Sequence, residues 1–290
     1  MLNEKAEKEK EIERVKNAEL KEVYAVIEEQ IKSITDSINY AQRIQMGILP
    51  SKKVLTSALK DYFVFYQPKD IVSGDFYWCD SVFSSLHHSE LSLIAAVDCT
   101  GHGVPGAFMS MLAYNLLNQA LKESQVNYPS DVLNFLKSEL PKILKAQNQE
   151  ESIRDGMDMA LCVFDWFNSK LYFSGAHRPL WIIRKGKNEL EEIKATWTGI
   201  SGLIEDGRPF VNHEIHLNKG DTFYIFTDGY ADQFNGQTGK KLTTKKFKNL
   251  LLEIQEWSMN EQATYLKNYT MGWRGAQQQI DDILVIGIRV

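Results

Sequence analysis

Seven short runs in this chain, YFVFY, LSLIAAV, MALCVFDW, LYFSG, PLWIIR, TFYIFTD and ILVIGIRV, read as β-strands, and several are too apolar to leave a wet face. Successive side chains of a strand point to opposite faces, so a strand buried on one side alternates apolar with polar residues. LSLIAAV has no polar set to offer water, and its sheet must be covered on both sides. Three longer segments, about 105–123, 130–147 and 243–271, carry helical patterning, the last one broken into two. Many strands with helices grouped between them predict an α+β architecture, a β-sandwich of stacked sheets flanked by helical layers.

The N-terminal stretch has another texture. Residues 1–46 contain neither glycine nor proline, and residues 1–30 hold nine Glu and six Lys or Arg, interleaved as on a solvated helix. Apolar positions recur at Leu20, Val23, Ile27, Ile31, Ile34, Ile38 and Ala41. These steps of three and four form one stripe, with an extra four-residue step around Ile27 and Ile31, a stutter that locally unwinds a coiled coil without ending it. A long helix cannot bury so narrow a stripe by itself. The stripe predicts a parallel coiled coil, and through it a homodimer. The competing reading packs the stripe on the chain's own globule.

Composition excludes several classes. Hydrophobic residues make up 43% and aromatics 11%, too apolar for a disordered chain. The formal net charge of -5 argues against a nucleic-acid partner. No apolar run reaches the ~18 residues of a membrane span, and the N-terminus lacks a signal-peptide core. Cys79, Cys99 and Cys162 are odd in number and lack metal-ligand spacing, which predicts reduced thiols in a cytoplasmic protein. The stretch with Gly199, Gly202 and Gly207 reads as a mobile loop.

Function is carried by acidic residues beside apolar strands. In LSLIAAVDCTGHGVPG, a strand ends at Asp98, a turn with Gly101 and Gly103 follows, and Pro105 suits the first turn of a helix. The glycines let the main chain approach whatever Asp98 binds, so a backbone carbonyl can add a ligand. Asp98 stands six residues ahead of the helix start predicted near Val104, too far to be its cap. FYIFTDGY ends another apolar strand at Asp228, and SGDFYW places Asp75 at the mouth of an aromatic strand. QIDDILVIG sets Asp281 and Asp282 before a strand, where adjacent side chains diverge, so only one of the two should meet a metal directly. Singly these motifs are weak, and Asp-Gly is a common turn. Together they matter, because burying four carboxylates without a cation is very costly. Hard oxygen ligands from several strands suit Mg or Mn.

GDFYW, VDCTGHG, SGAH, FTDGY and DDILV, in this order and spacing, resemble the PPM-type metal-dependent protein phosphatases. Their bacterial SpoIIE-like Ser/Thr branch, relatives of the type 2C enzymes, is the part of the family the motifs look like. The resemblance covers about residues 40–290, including INYAQRIQMGILPS. It implies residues 1–50 as a helical coiled-coil linker and 51–290 as the phosphatase domain. The implied fold is an αββα sandwich with two Mn or Mg ions at one sheet edge. Position by position, Asp75 resembles the carboxylate bridging both metals. Asp98 resembles a ligand of one metal, beside the main-chain carbonyl of Cys99. Asp228 and Asp281 resemble the ligands of the other, with Asp282 secondary. Leu284 departs from the usual Thr, and no arginine matches the phosphate-binding one of the eukaryotic relatives; Lys69 is a substitute by sequence position alone.

Two cations ~3.5–4 Å apart can share a water and lower its pKa, giving hydroxide without a protein nucleophile. His102 and His177 are candidates for the general acid, though each can equally be a turn residue. A thiolate mechanism is disfavoured, as no Cys-x5-Arg loop exists. The expected activity is therefore phosphoserine/phosphothreonine protein phosphatase in bacterial signalling, regulated through the N-terminal helix. Its expected partner is a phosphoprotein such as an anti-sigma-factor antagonist-like protein. The rival reading is a catalytically inactive binding module, against which the intact set of acids counts.

Overall fold

The structure, a computed structural model, describes residues 2–123, 126–145, 155–201 and 207–290. Gly202 of the glycine-punctuated loop and residues 146–147 of the second expected helix lie outside the described residues. The chain forms two units, Met1–Ile44 and Gln45–Val290. The first unit belongs to one helix, α1 (Leu2–Ile48), unbroken as the absence of Gly and Pro requires. Within that unit Leu20, Val23, Ile27, Ile31 and Ile34 are 42% to 59% exposed, and Ile38 is half-buried.

The second unit begins with the last turn of α1 and continues as α2 (Lys52–Ala58), β1 (Asp61–Gln67), β2 (Phe76–Ser84), β3 (Ser89–Cys99), α3 (Gly103–Glu123) and α4 (Pro129–Lys145). Then come β4 (Gly156–Asp165), β5 (Lys170–Ala176), β6 (Leu180–Ile183), β7 (Leu190–Ile193), β8 (Ile200–Ser201) and β9 (His213–His216). β10 (Thr222–Phe226), α5 (Gly229–Asp232), α6 (Thr244–Glu253), α7 (Met259–Arg274) and β11 (Ile283–Arg289) complete it. One sheet has the order β1-β11-β10-β6-β7, the other β2-β3-β4-β5-β9 with β8 pairing to β4. The registered pairs are antiparallel.

The apolar strands are explained by three stacked cores. Along β3, Leu91, Leu93, Ala95 and Val97 face α3 and α4, while Ile94 and Ala96 face the opposite sheet. Along β11, Leu284, Ile286 and Ile288 face the opposite sheet, and Ile283 and Val285 face the layer holding Phe247 and Leu266 of α6 and α7. Each central strand therefore feeds two cores at once, and the αββα sandwich expected from the sequence is the fold observed.

The first expected helix starts at Gly103, two residues before Pro105. The third breaks after Glu253, and α7 restarts on a capping box between Ser258 and Glu261. Three strands escape the sequence reading: β7 (LEEI), β8 (IS) and β9 (HEIH). They are short and half polar, and pairing rather than propensity defines them.

Candidate active site

The acidic motifs meet at one edge of both sheets. Asp75 immediately precedes β2 and Asp98 is the penultimate residue of β3; Phe76 lies opposite Val97, so the antiparallel pairing carries both acids to the same end. Asp228 follows β10, and Asp281 and Asp282 precede β11, with Phe226 opposite Val285. Asp98 continues the face of β3 that carries Ile94 and Ala96 toward the other sheet. The acids thus line the mouth of the gap between the sheets.

Asp75 is the most deeply set, 3% exposed. Its main-chain oxygen accepts hydrogen bonds from the Ser73 hydroxyl at 2.9 Å and from the Tyr66 phenol at 3.1 Å. Its Oδ2 is buried with no partner. Burial first, then the charge of Asp98 and those of Asp282 and Asp281, push this carboxyl well above the usual range, against a hydrogen bond with Thr227. Gly74 is needed just before it. A side chain there would run into the carbonyl oxygen of Gly101 and stand 3.1 Å from that of Cys99. Both main-chain oxygens therefore face the Asp75 loop, while the Cys99 thiol points into the core and is held protonated by burial.

Asp98 is pushed up to about 7 by burial, a rise that Arg178 opposes and Asp228, Asp158 and Asp281 reinforce. Asp281 is also raised by burial, while its Oδ1 accepts from the Asp282 amide at 2.9 Å. Asp282 is used differently. Its two oxygens accept from the amides of Lys69 at 2.7 Å and Gly74 at 2.8 Å, so it pins the loop ahead of Asp75. The charge of Lys69 acts on Asp281.

Two histidine–aspartate pairs flank the acids. His102 Nδ1 is 2.8 Å from Asp70 and half exposed. His177 Nδ1 is 2.9 Å from Asp158, and its φ of 55° places it in the turn between β5 and β6.

Sequence reasoning missed Asp158, Arg178 and Thr227. Asp158 lies opposite Asp98 in the β3–β4 register, a signal visible only once that pairing is known. The Arg178 Nη2 donates to Asp98 at 2.6 Å and to Asp228 at 2.8 Å, and lies 3.5 Å from Asp158. Thr227 sits beside the Leu284 that departs from the family pattern. The Thr227 hydroxyl accepts from the Leu284 amide at 3.1 Å, and the Thr227 amide donates to the Leu284 carbonyl at 3.0 Å. Thr227→Val keeps the shape but strands that amide and removes a partner of Asp75. It is expected to cost about 1–3 kcal/mol, read as a lower denaturant midpoint with unchanged m; an unchanged midpoint would show the hydroxyl idle.

Among the described residues no group of three or more Asp, Glu, His or Cys side chains stands close enough together to hold a metal ion by itself. The donor set nonetheless fits hard divalent ions. It offers carboxylates from four strand ends, inward-facing carbonyls at Cys99 and Gly101, and an unpartnered Asp75 oxygen. Such ions keep several waters and need few protein ligands.

A family model for stage II sporulation protein E (SpoIIE) matches residues 90–290, well over half of the chain. The chain belongs to the SpoIIE family. This is a PP2C-type phosphatase family of bacterial signalling, and the αββα sandwich of this SpoIIE-family chain is the PP2C fold. The SiaA PP2C domain of Pseudomonas aeruginosa is similar at 29% identity and a TM-score of 0.76, over 89% of this chain and 98% of that one. The PP2C phosphatase domain of SpoIIE from Bacillus subtilis, with a fragment of its regulatory domain, is similar at 19% identity and a TM-score of 0.60, over 79% of this chain and 63% of that one. RsbX, solved in complex with magnesium, is similar at 15% identity and a TM-score of 0.53, over 79% and 94%. The last two likenesses concern the fold alone. No curated protein sequence matches the chain. Among the described residues no helix is long and apolar enough to cross a membrane.

Proposed function

We propose that this SpoIIE-family chain is a metal-dependent phosphoserine/phosphothreonine protein phosphatase. The observation that carries the reading is the meeting of Asp75, Asp98, Asp228 and Asp281 at one sandwich edge, with a buried Asp75 oxygen left without a partner. Asp75, Asp98 with the Cys99 carbonyl, Asp228 and Asp281 would hold two divalent ions, Mn2+ or Mg2+. Asp282 serves as the second-rank member, holding the loop through Lys69 and Gly74. Bound there, the ions supply a water acidified toward neutrality as nucleophile and neutralise charge on the phosphoryl oxygens. The chain's own groups bury Asp75 and fix the carboxylates, and the imidazoles of His102, paired with Asp70, and of His177, paired with Asp158, are the candidates for donating a proton to a leaving seryl oxygen.

The partner is a phosphoprotein, with an anti-sigma-factor antagonist-like protein as the class the family favours. The α1 stripe supports a parallel homodimer through which activity is set, since an exposed row of aliphatic side chains on a solvated helix favours a second copy. Gln45, the first residue of the second unit, is 4% exposed and bonds the Ser73 carbonyl at 2.6 Å, the Ser73 amide at 3.0 Å and Ser110 at 2.8 Å. The end of α1 is therefore tied two residues from Asp75, which supports control through the helix. Three free, buried cysteines fit a reducing cytoplasm.

The test is hydrolysis of phosphoserine, phosphothreonine and phosphotyrosine peptides and of a generic ester with Mn2+, with Mg2+ and with chelator. Turnover should need an added ion and favour phosphoserine or phosphothreonine on protein substrates. Full activity in chelator would sink the metal reading, and a clear phosphotyrosine preference would sink the substrate reading.

A further inference from the structure

We infer that Arg178 is a built-in counter-ion of the acidic edge, occupying in the metal-free enzyme the carboxylates that divalent ions must take, so that metal binds by displacing it. This rests on the metal-dependent reading above. One nitrogen of the guanidinium, Nη2, serves Asp98 on β3 and Asp228 after β10, with Asp158 of β4 at 3.5 Å. It thereby bridges the two sheets at their shared edge, which is the task a bound ion would perform.

The side chain is held at its two ends and not between them. The Arg178 amide donates to the Ala176 carbonyl at 2.6 Å and the His177 amide to the Thr196 carbonyl at 3.1 Å, closing the turn before Pro179. Further out, Nε is buried and makes no hydrogen bond. The hold is thus at the tip. One guanidinium nitrogen within 3.5 Å of Asp98, Asp158 and Asp228 cannot balance three carboxylates. A guanidinium and a divalent ion compete for the same two oxygens, since two cations brought into contact at low dielectric repel each other. Apparent metal affinity is then the intrinsic affinity divided by the cost of turning Arg178 out.

The test is calorimetric titration of manganese(II) chloride into chelator-stripped wild type, Arg178→Met and Arg178→Lys, with no turnover involved. Arg178→Met should bind Mn2+ at least about tenfold tighter than wild type, equivalent to ~1.4 kcal/mol. Arg178→Lys, shorter and more strongly hydrated, should fall between them. Stripped Arg178→Met should also melt below stripped wild type, because three acids lose their counter-ion. Equal or weaker Mn2+ binding by Arg178→Met overturns the inference and makes Arg178 an orienting residue. Should that variant not fold, Arg178→Lys decides: binding no tighter than wild type overturns it equally. Heats absent from every protein would overturn the metal site itself and this inference with it, whereas equal heats and affinities overturn this inference alone.

Discussion

Asp75→Asn is expected to lower phosphate-ester hydrolysis by about three orders of magnitude or more while raising the melting temperature of the chelated protein. The loss of activity follows from the role proposed for Asp75, since a neutral amide would not replace a carboxylate that holds divalent ions. The gain in stability follows from the same burial. The Asp75 carboxyl is raised by desolvation and then by Asp98, so its charged form opposes folding. The sign is that of a carboxylate raised by folding: stability is lost as pH rises above the unfolded value and regained as pH falls. Removing the charge should therefore make the chelated variant melt above wild type at pH 7, with the gap closing in acid. Functional sites commonly oppose stability in this way. Turnover within tenfold of wild type would remove Asp75 from the mechanism; a lower melting temperature would mean that its charge is already compensated in the metal-free state.

Replacing Ile31 and Ile34 together with Lys is expected to convert a dimer into monomers. Both side chains are more than half exposed on α1, at 58% and 59%. In a parallel pair they bury four aliphatic side chains, each worth about 1.5–3 kcal/mol when fully covered. Their replacement by Lys would place four positive charges across one seam. Sedimentation and turnover should be measured on the same samples. A variant that stays dimeric would show that the stripe is covered elsewhere, and a monomer with unchanged turnover would reduce the helix to a tether. The stutter around Ile27 and Ile31 is where two packings of similar energy could coexist, so substitutions there should alter activity more than equal changes at Leu20.

What was legible in the sequence was what local pattern alone dictates. LSLIAAV and ILVIGIRV could not leave a face wet, and the three cores that cover both faces of β3 and β11 are the consequence. The absence of glycine and proline through residue 46 left α1 no place to stop. The acids of the four motifs were visible because each stands beside an unmistakable strand. Pairing information was not visible. Asp158 reaches the site through its register with Asp98, and Arg178 reaches Asp98 across 80 residues of sequence. SGAHRPLW was read for its turn, and nothing local says that the arginine of that turn reaches across to the other sheet. Asp281 and Asp282 are adjacent and were expected to diverge, with Asp282 secondary, and only the fold shows that Asp282 gives both oxygens to amides of the loop before Asp75.

The position of β11 has a consequence for biosynthesis. It lies between β1 and β10, pairing Asp61–Gln67 on one side and Thr222–Phe226 on the other, yet it follows every other described strand in sequence. A nascent chain emerging from the ribosome holds β1 and β10 with an empty slot between them, two unpaired edges of the kind that invite wrong partners. Asp281 and Asp282 arrive with the strand that fills the slot. Pairing across more than 200 residues is slow to find. Until that strand is in place the acidic edge lacks Asp281 and Asp282, and the amides of Lys69 and Gly74 ahead of Asp75 lack the carboxylate that holds them.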